Sequence, residues 1–425
     1  MNNFWTLVGF EFQKMRKRRV VIPALFACLG VVAVMAWTSV SGTSFWHKAG
    51  SGLSQYEAMK RDKEVILSRR GEITGELVSQ AIRANEEMIS DDSHYLINEY
   101  GRHLKSDAYI QYALPYEAVV RLINTVYEED SDWLSTGAMG MISVNPDRAI
   151  DHLTPEQGQS FDRDFKEFAM SVVMGQEGLS AEEVEKNAAL ISQIETPLYN
   201  DYFGGYQAYI NDSKVLALTA LFVILILLAP LFSGEYEDKT DQLLLCARNG
   251  RGTLCRAKIA AALMVSLGVS LLTMGAGWLC FLMIFGFEGG AVSIQVVNPG
   301  CTYPITLFQA CLIHLGSVVA AAVLFGAFTA FLSARARRGT ASAVAAGTMA
   351  VVLPLFIWMP LKSSRFLYNL LQFFPANSVT FRFDLHFFRL FGTLIEPYKW
   401  VGAVSLLLAA GFFALAARGF QRRQA

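Results

Sequence analysis

"SGEYEDKTDQLLLCARNGRGTLCRAK", Ser233 to Lys258, crowds four acids, five bases and three consecutive leucines into a short bridge. "VLALTALFVILILLAP" precedes it (Val215–Pro230), and a second apolar run follows from Ile259. Its reading decides the fold, because it fixes what the flanking runs are. Across the chain 53% of residues are hydrophobic and 17% charged. That balance is too apolar for an ordinary soluble enzyme and suits a polytopic membrane protein. The net charge of -1 is uninformative, since the charges are segregated.

Working outward, six runs have the length and composition of membrane-spanning helices. They are Val20–Val40, Val215–Ser233, Ile259–Phe287, Ile305–Ser333, Thr340–Leu361 and Trp400–Ala417. Lys and Arg in short flanks set orientation. Lys14, Arg16, Lys17, Arg18 and Arg19 precede the first run. The bridge carries Lys239, Arg248, Arg251, Arg256 and Lys258. Arg335, Arg337 and Arg338 follow the fourth run, and Arg418, Arg422 and Arg423 the last. Alternating spans put all four groups on one side, the expected cytoplasmic side, together with both termini. Residues 288–304 contain no Lys or Arg. The first run is longer than a usual signal-peptide core, which favours a retained span.

Residues 41–213 separate the first two runs and carry 29 acids against 14 bases. A segment of that length is expected to be a folded extracellular domain. Its signals are helical. Ile66, Ile73, Leu77, Ala81 and Met88 recur at sevens and fours, which predicts a long amphipathic stalk interrupted at most by Gly71 and Gly75. "TPEQ" at Thr154 and "SAEE" at Ser180 read as helix starts. The expected fold class is therefore all-α: six spans, and a mainly helical outer domain between the first and second. Residues 362–399 are dense in aromatics and read as an interfacial or re-entrant hairpin broken at Pro375, or as a plain aromatic belt.

Enzyme chemistry has no foothold in the motifs. The chain lacks G-x-x-x-x-G-K-[ST], G-x-S-x-G and H-E-x-x-H. The six histidines share no metal-ligand spacing, and the six cysteines are scattered, none of them in 41–213. Inside the runs, Gln309 and His314 are the candidate polar residues of a translocation path, with helix packing as the alternative. No acids line up across the membrane, so any energy source lies in another chain.

The bridge itself predicts about three helical turns over Tyr236–Ala247, with acids at its start and Arg248 and Arg251 beyond its end, as the helix dipole favours. Leu243, Leu244 and Leu245 need a cover: the membrane surface or a partner's groove. Here the sequence resembles type-2 ABC exporter permeases. Their first cytoplasmic loop has an acid-rich start, Gly-Thr, a leucine triplet, Pro, then Arg, closing on a Lys. Glu235, Glu237, Thr240, Leu243, Leu244, Leu245, Arg251 and Lys258 match, whereas Lys239 replaces the Gly and Arg248 the Pro. "EFQKMRKRR", with Glu11, Lys14 and Arg16, resembles the family's inner-surface elbow helix, and "LLQFFPANSV" its outer hairpin.

The resemblance implies a bacterial cytoplasmic-membrane exporter subunit. It implies docking of a separate cytoplasmic ABC ATPase on the bridge, with ATP and Mg on that partner and no cofactor on this chain. It also implies a second permease subunit, homo- or heterodimeric. The lipid bilayer is the remaining expected partner, and no nucleic acid is expected. Two rival classes stand beside it. A membrane sensor would use the outer domain as receptor and leave the leucine triplet uncovered. An intramembrane enzyme would need a polar catalytic set in the spans, which is not found.

Overall fold

A computed structural model of the protein describes residues 2–98, 101–128, 148–240, 252–348, 369, 371–380 and 383–422. Helix dominates. The chain begins with α1 (Asn2–Lys17), turns, and enters α2 (Val21–Ser41). On α1 the buried side chains Val8, Glu11 and Met15 lie three and four residues apart, one stripe of a helix, while Trp5 and Phe10 are exposed.

The inserted segment is helical but has no long stalk. Helix α3 (Gln55–Leu67) stops before Gly71, whose φ of 144° no L side chain adopts easily, and the chain passes through β1 (Gly71–Glu72). It restarts as α4 (Gly75–Ser90), capped by Thr74 Oγ1, which accepts from the Leu77 amide. The predicted stripe is thus divided, with Ile66 on α3, Ile73 in the turn and Ala81 and Met88 on α4. A hairpin of β2 (Tyr95–Asn98) and β3 (Gly101–Leu104) leads to α5 (Ser106–Tyr112) and α6 (Glu117–Tyr127).

"TPEQ" does form its capping box, opening a 3-10 turn that feeds α7 (Phe161–Gly175). "SAEE" caps α8 (Ala181–Ser192) in the same way. The chain then pairs β4 (Tyr199–Asn200) with β1. Val78, Ile82, Val119, Leu122, Phe161, Phe165 and Ile191 are buried in one continuous core that extends into the apolar helices.

Helix α9 (Gly204–Leu228) starts eleven residues before the predicted second run. Its first turns hold Gln207, Asn211, Asp212 and Lys214, which mask a helix from hydropathy alone. They bury Tyr206 and Tyr209, and Asp212 accepts from Ser39 Oγ at 2.6 Å. The boundary expected at residue 213 therefore falls inside one helix. After a break at Pro230 comes α10 (Ser233–Glu237).

Next come α11 (Thr253–Phe285), α12 (Leu307–Arg335) and α13 (Gly339–Gly347), the start of the run expected at Thr340–Leu361, most of which lies outside the described residues. The last elements are the hairpin β5 (Phe388–Leu390) and β6 (Thr393–Ile395), then α14 (Pro397–Arg422). Among the described residues five helices are long and apolar enough to cross a membrane: α2, α9 with α10, α11, α12 and α14. Helix α12 sits centrally. Its small residues Ala321, Ala322, Gly326 and Ala330 are buried, and a Cβ on Gly326 would collide with Ser266 on α11. Small residues of this kind let membrane helices approach closely.

The expected helical hairpin over 362–399 is only partly helical where described. Pro375 opens one turn, Pro375–Ser378, and the segment then forms the β5–β6 hairpin. Several hydrogen bonds fasten the inserted segment to the loops at this end of the bundle. Lys63 on α3 donates to Phe285 O (3.1 Å) and Glu288 Oε2 (2.7 Å) at the end of α11. On α8, the buried Asn187 amide donates to Leu385 O and accepts from Thr302 Oγ1, both at 2.9 Å, and Glu183 Oε1 accepts from the Phe387 amide.

Candidate functional site

At the opposite end of the bundle the bridge begins, and it begins with a break. Pro230 has no amide hydrogen, so the α9 ladder cannot continue through it. The carbonyls around the break find other donors. Ala229 O accepts from Ser342 Oγ (2.6 Å) on α13, and Pro230 O from Arg18 Nη2 (3.0 Å). Leu231 O accepts from Lys258 Nζ (2.9 Å) on α11. The Phe232 and Ser233 amides both donate to Ser333 Oγ on α12, at 3.0 and 3.2 Å. The turn after α1 and helices α11, α12 and α13 are thereby bonded to the corner, and Phe420 of α14 packs on Phe232.

Lys258 is the centre of the arrangement. It is fully buried, and its ammonium donates to Glu11 Oε2 and Glu235 Oε1, both at 2.8 Å. Lys14 adds bonds to Glu235 Oε1 (2.7 Å) and Glu11 Oε1 (3.3 Å). Two carboxylates and two ammonium groups leave the cluster formally neutral, which is what makes a buried charge tolerable. Lys14 is half-buried. Burial pulls its pKa down, but the bonds to Glu235 and Glu11 raise it overall. The cluster unites α1, the α9–α10 corner and the start of α11, so both ends of the bridge close on one lysine.

The bridge residues divide accordingly. Glu235 is 7% exposed and also accepts from Thr240 Oγ1 at 2.8 Å. It holds the corner together and is not an exposed docking contact. Glu237 is exposed, and its Oε1 accepts from the Gly339 amide at 2.7 Å. Of the helix predicted over Tyr236–Ala247 only the start is described: α10 covers Ser233–Glu237, Lys239 follows in left-handed backbone with φ 54°, and residues 241–247 lie outside the described residues. A glycine takes that conformation without a steric penalty. Leu243, Leu244, Leu245 and Arg251 lie outside the described residues.

Of the remaining candidates, Arg16 is exposed on α1. Gln309 accepts from the Thr306 amide (3.0 Å) in the capping box that starts α12, so its side-chain carbonyl is committed to the helix end. His314 is buried on α12, edge-on to Tyr209 with ring centroids 6.2 Å apart. It borders a cavity of about 40 Å³ shared with Gln372, Asn377, Asp384 and Tyr398. Sequence reasoning read Lys258 as an orientation charge and as the Lys that closes the family's loop, and overlooked it as a hub. One signal was available: Glu11, Glu235 and Lys258 each stand where a charged flank meets an apolar run.

The family model described as ABC-2 family transporter protein matches residues 5–424, nearly the whole chain. The chain belongs to the ABC-2 transporter family. No curated protein matches it significantly. As an ABC-2 protein it is a multi-pass membrane protein, the permease subunit of an ABC transporter, and the family implies partnership with an ABC ATPase. The permease thus has its charged junction at the base of the bridge whose pattern first suggested that family.

Proposed function

We propose that this ABC-2 permease is the membrane half of an ATP-driven exporter, and that residues beyond the Lys239 turn dock the ABC ATPase. The observation that carries the proposal is the closure of both bridge ends, with α1, on the buried Lys258. A push on the bridge meets a corner bonded to α1, α11, α12 and α13, so it moves those helices together instead of bending one loop. The leucines Leu243, Leu244 and Leu245 are the apolar element that a partner's groove would cover, and Arg251 follows them in the sequence.

On this reading the bridge, both termini and α1 face the cytoplasm of a bacterial cell, following the basic flanks. The inserted segment is an extracellular domain, the run at Thr340–Leu361 is the sixth span, and 362–399 is the outer hairpin. A second permease subunit completes the unit, ATP and Mg are bound by the ATPases, and the cargo is amphipathic.

Leu244→Asp tests the docking. A carboxylate forced into an apolar groove costs roughly 3 kcal/mol, about a hundredfold in affinity. The variant should therefore lose co-purification of the ATPase and stimulation of its turnover, while the permease alone melts as the parent does. Co-purification and stimulation equal to the parent's would refute the assignment. Reversal of Glu235 is a poor substitute, because it would break the buried cluster first.

A further inference from the structure

The β5–β6 hairpin has a loop of two residues, since Leu390 pairs with Thr393. Phe391 has φ 49° and Gly392 φ 82°. Positive φ at both positions marks a type I′ turn, which Asn-Gly or Asp-Gly builds best. An aromatic side chain in left-handed backbone is an outlier. Phe391 is also 98% exposed, the most exposed large apolar side chain among the described residues. A residue that suits neither its backbone nor water points to a third environment.

The strand alternation shows where that environment lies. Arg389 turns to α8, where it pairs with Glu182, and Lys186 of α8 donates to Leu394 O. The opposite face carries Phe388, Leu390 and Ile395 with Thr393, and Phe388 stacks on Trp400 with centroids 5.7 Å apart. Trp400 is in the first turn of α14, one of the helices fit to cross a membrane. The hairpin therefore lies between the inserted segment and the level at which α14 enters lipid, with its apolar face on the α14 side. A three-residue strand reaches only about 10 Å, so the tip stays close to that level. Aromatic side chains settle there because the interface accepts an apolar ring beside polar groups.

We infer that the Phe391 tip inserts into the lipid interface beside α14. The partner is the phospholipid bilayer itself. The inference needs α14 to cross the membrane and is independent of where the ATPase docks, so loss of one reading leaves the other standing.

The test uses the full-length permease in phosphatidylcholine–phosphatidylglycerol vesicles. Phe391→Trp is compared with the parent by difference fluorescence, and Ile97→Trp serves as the reference. Ile97 is 80% exposed on the β2–β3 hairpin of the inserted segment. The Trp at 391 should emit to the blue of the Trp at 97 and lose about half its emission to lipids brominated near the headgroup, as an interfacial ring does. The Trp at 97 should lose almost none. Equal, weak quenching at both positions overturns the inference. So does an emission at 391 that shifts only when the protein is crowded in the vesicle, which would mean contact between copies. Should F391W fail to assemble, Leu390→Trp on the same face gives the same readout.

Discussion

Replacing Lys258 by Met keeps the length of the side chain and removes its charge. The lost contacts are two charge-assisted hydrogen bonds and one to Leu231 O. Removing one partner of a buried ion pair costs ~3–5 kcal/mol, because the other is left uncompensated. Lys14 softens the loss unevenly. It already sits 2.7 Å from Glu235 but 3.3 Å from Glu11, so Glu11 is the carboxylate left poorly paired. At an unfolding entropy of ~2 cal/mol/K per residue, a chain of 425 residues should lose roughly 3–6 °C of melting temperature in detergent. The double variant Lys258→Met with Glu11→Gln restores a neutral cluster and should recover more than half of that drop. Melting followed by size-exclusion fluorescence measures both. A single variant that melts within a degree of the parent would remove Lys258 from its central place. A double variant less stable than the single one would show that charge balance is not what the lysine supplies.

Three further outcomes are expected. Lys239→Gly relieves a left-handed residue at the cost of unfolded-state entropy, for a net gain of about 0.5–1 kcal/mol, and should raise the melting temperature slightly; a fall would count against strain at the turn. Burial pushes the Glu288 carboxyl upward, but the Lys63 hydrogen bond prevails and holds it below the ordinary 4.5. Its contribution is therefore complete above pH 4.5 and fades as pH falls through the lowered value, so the protection of α3 amides, measured relative to the intrinsic exchange rate at each pH, should fall on acidification in the parent and be reduced already at pH 7, with less pH dependence, in Glu288→Gln. Asn187→Ala strands Leu385 O and Thr302 Oγ1 in a buried site and should cost ~1–3 kcal/mol; unchanged melting would mean the α8 contact adds no stability.

Much of the bundle was legible in the sequence, because a run of apolar residues long enough to cross lipid has few other uses. The predicted runs at Val20, Ile259, Ile305 and Trp400 begin within about one to six residues of the starts of helices α2, α11, α12 and α14. The start of α9 escaped, since Gln207, Asn211, Asp212 and Lys214 lower its hydropathy while Tyr206 and Tyr209 still bury one face. The capping boxes at Thr154 and Ser180 were readable because their bonds span only three residues. The junction was not, since Lys258 meets Glu11 from 247 positions away and no local pattern encodes that distance. The β5–β6 hairpin escaped for the opposite reason: three-residue strands are too short for alternation to stand out.

The two ends of the bundle share one stiff element. Helix α9 runs 25 residues without a break, roughly 37 Å at 1.5 Å per residue. One end is tied to Ser39 by Asp212 and continues into the inserted segment, and the other stops at Pro230. The break falls at the corner where the carbonyls of Ala229, Pro230 and Leu231 accept from Ser342, Arg18 and Lys258. A hinge would leave such carbonyls to water. Here they are bound by neighbouring helices, so the corner locks α9 to α11 and α13 at the place where the helix is weakest. A displacement delivered at the corner then has a rigid path to the inserted segment. The contacts of Lys63 and Asn187 there decide how much of it reaches the ends of α11 and α14.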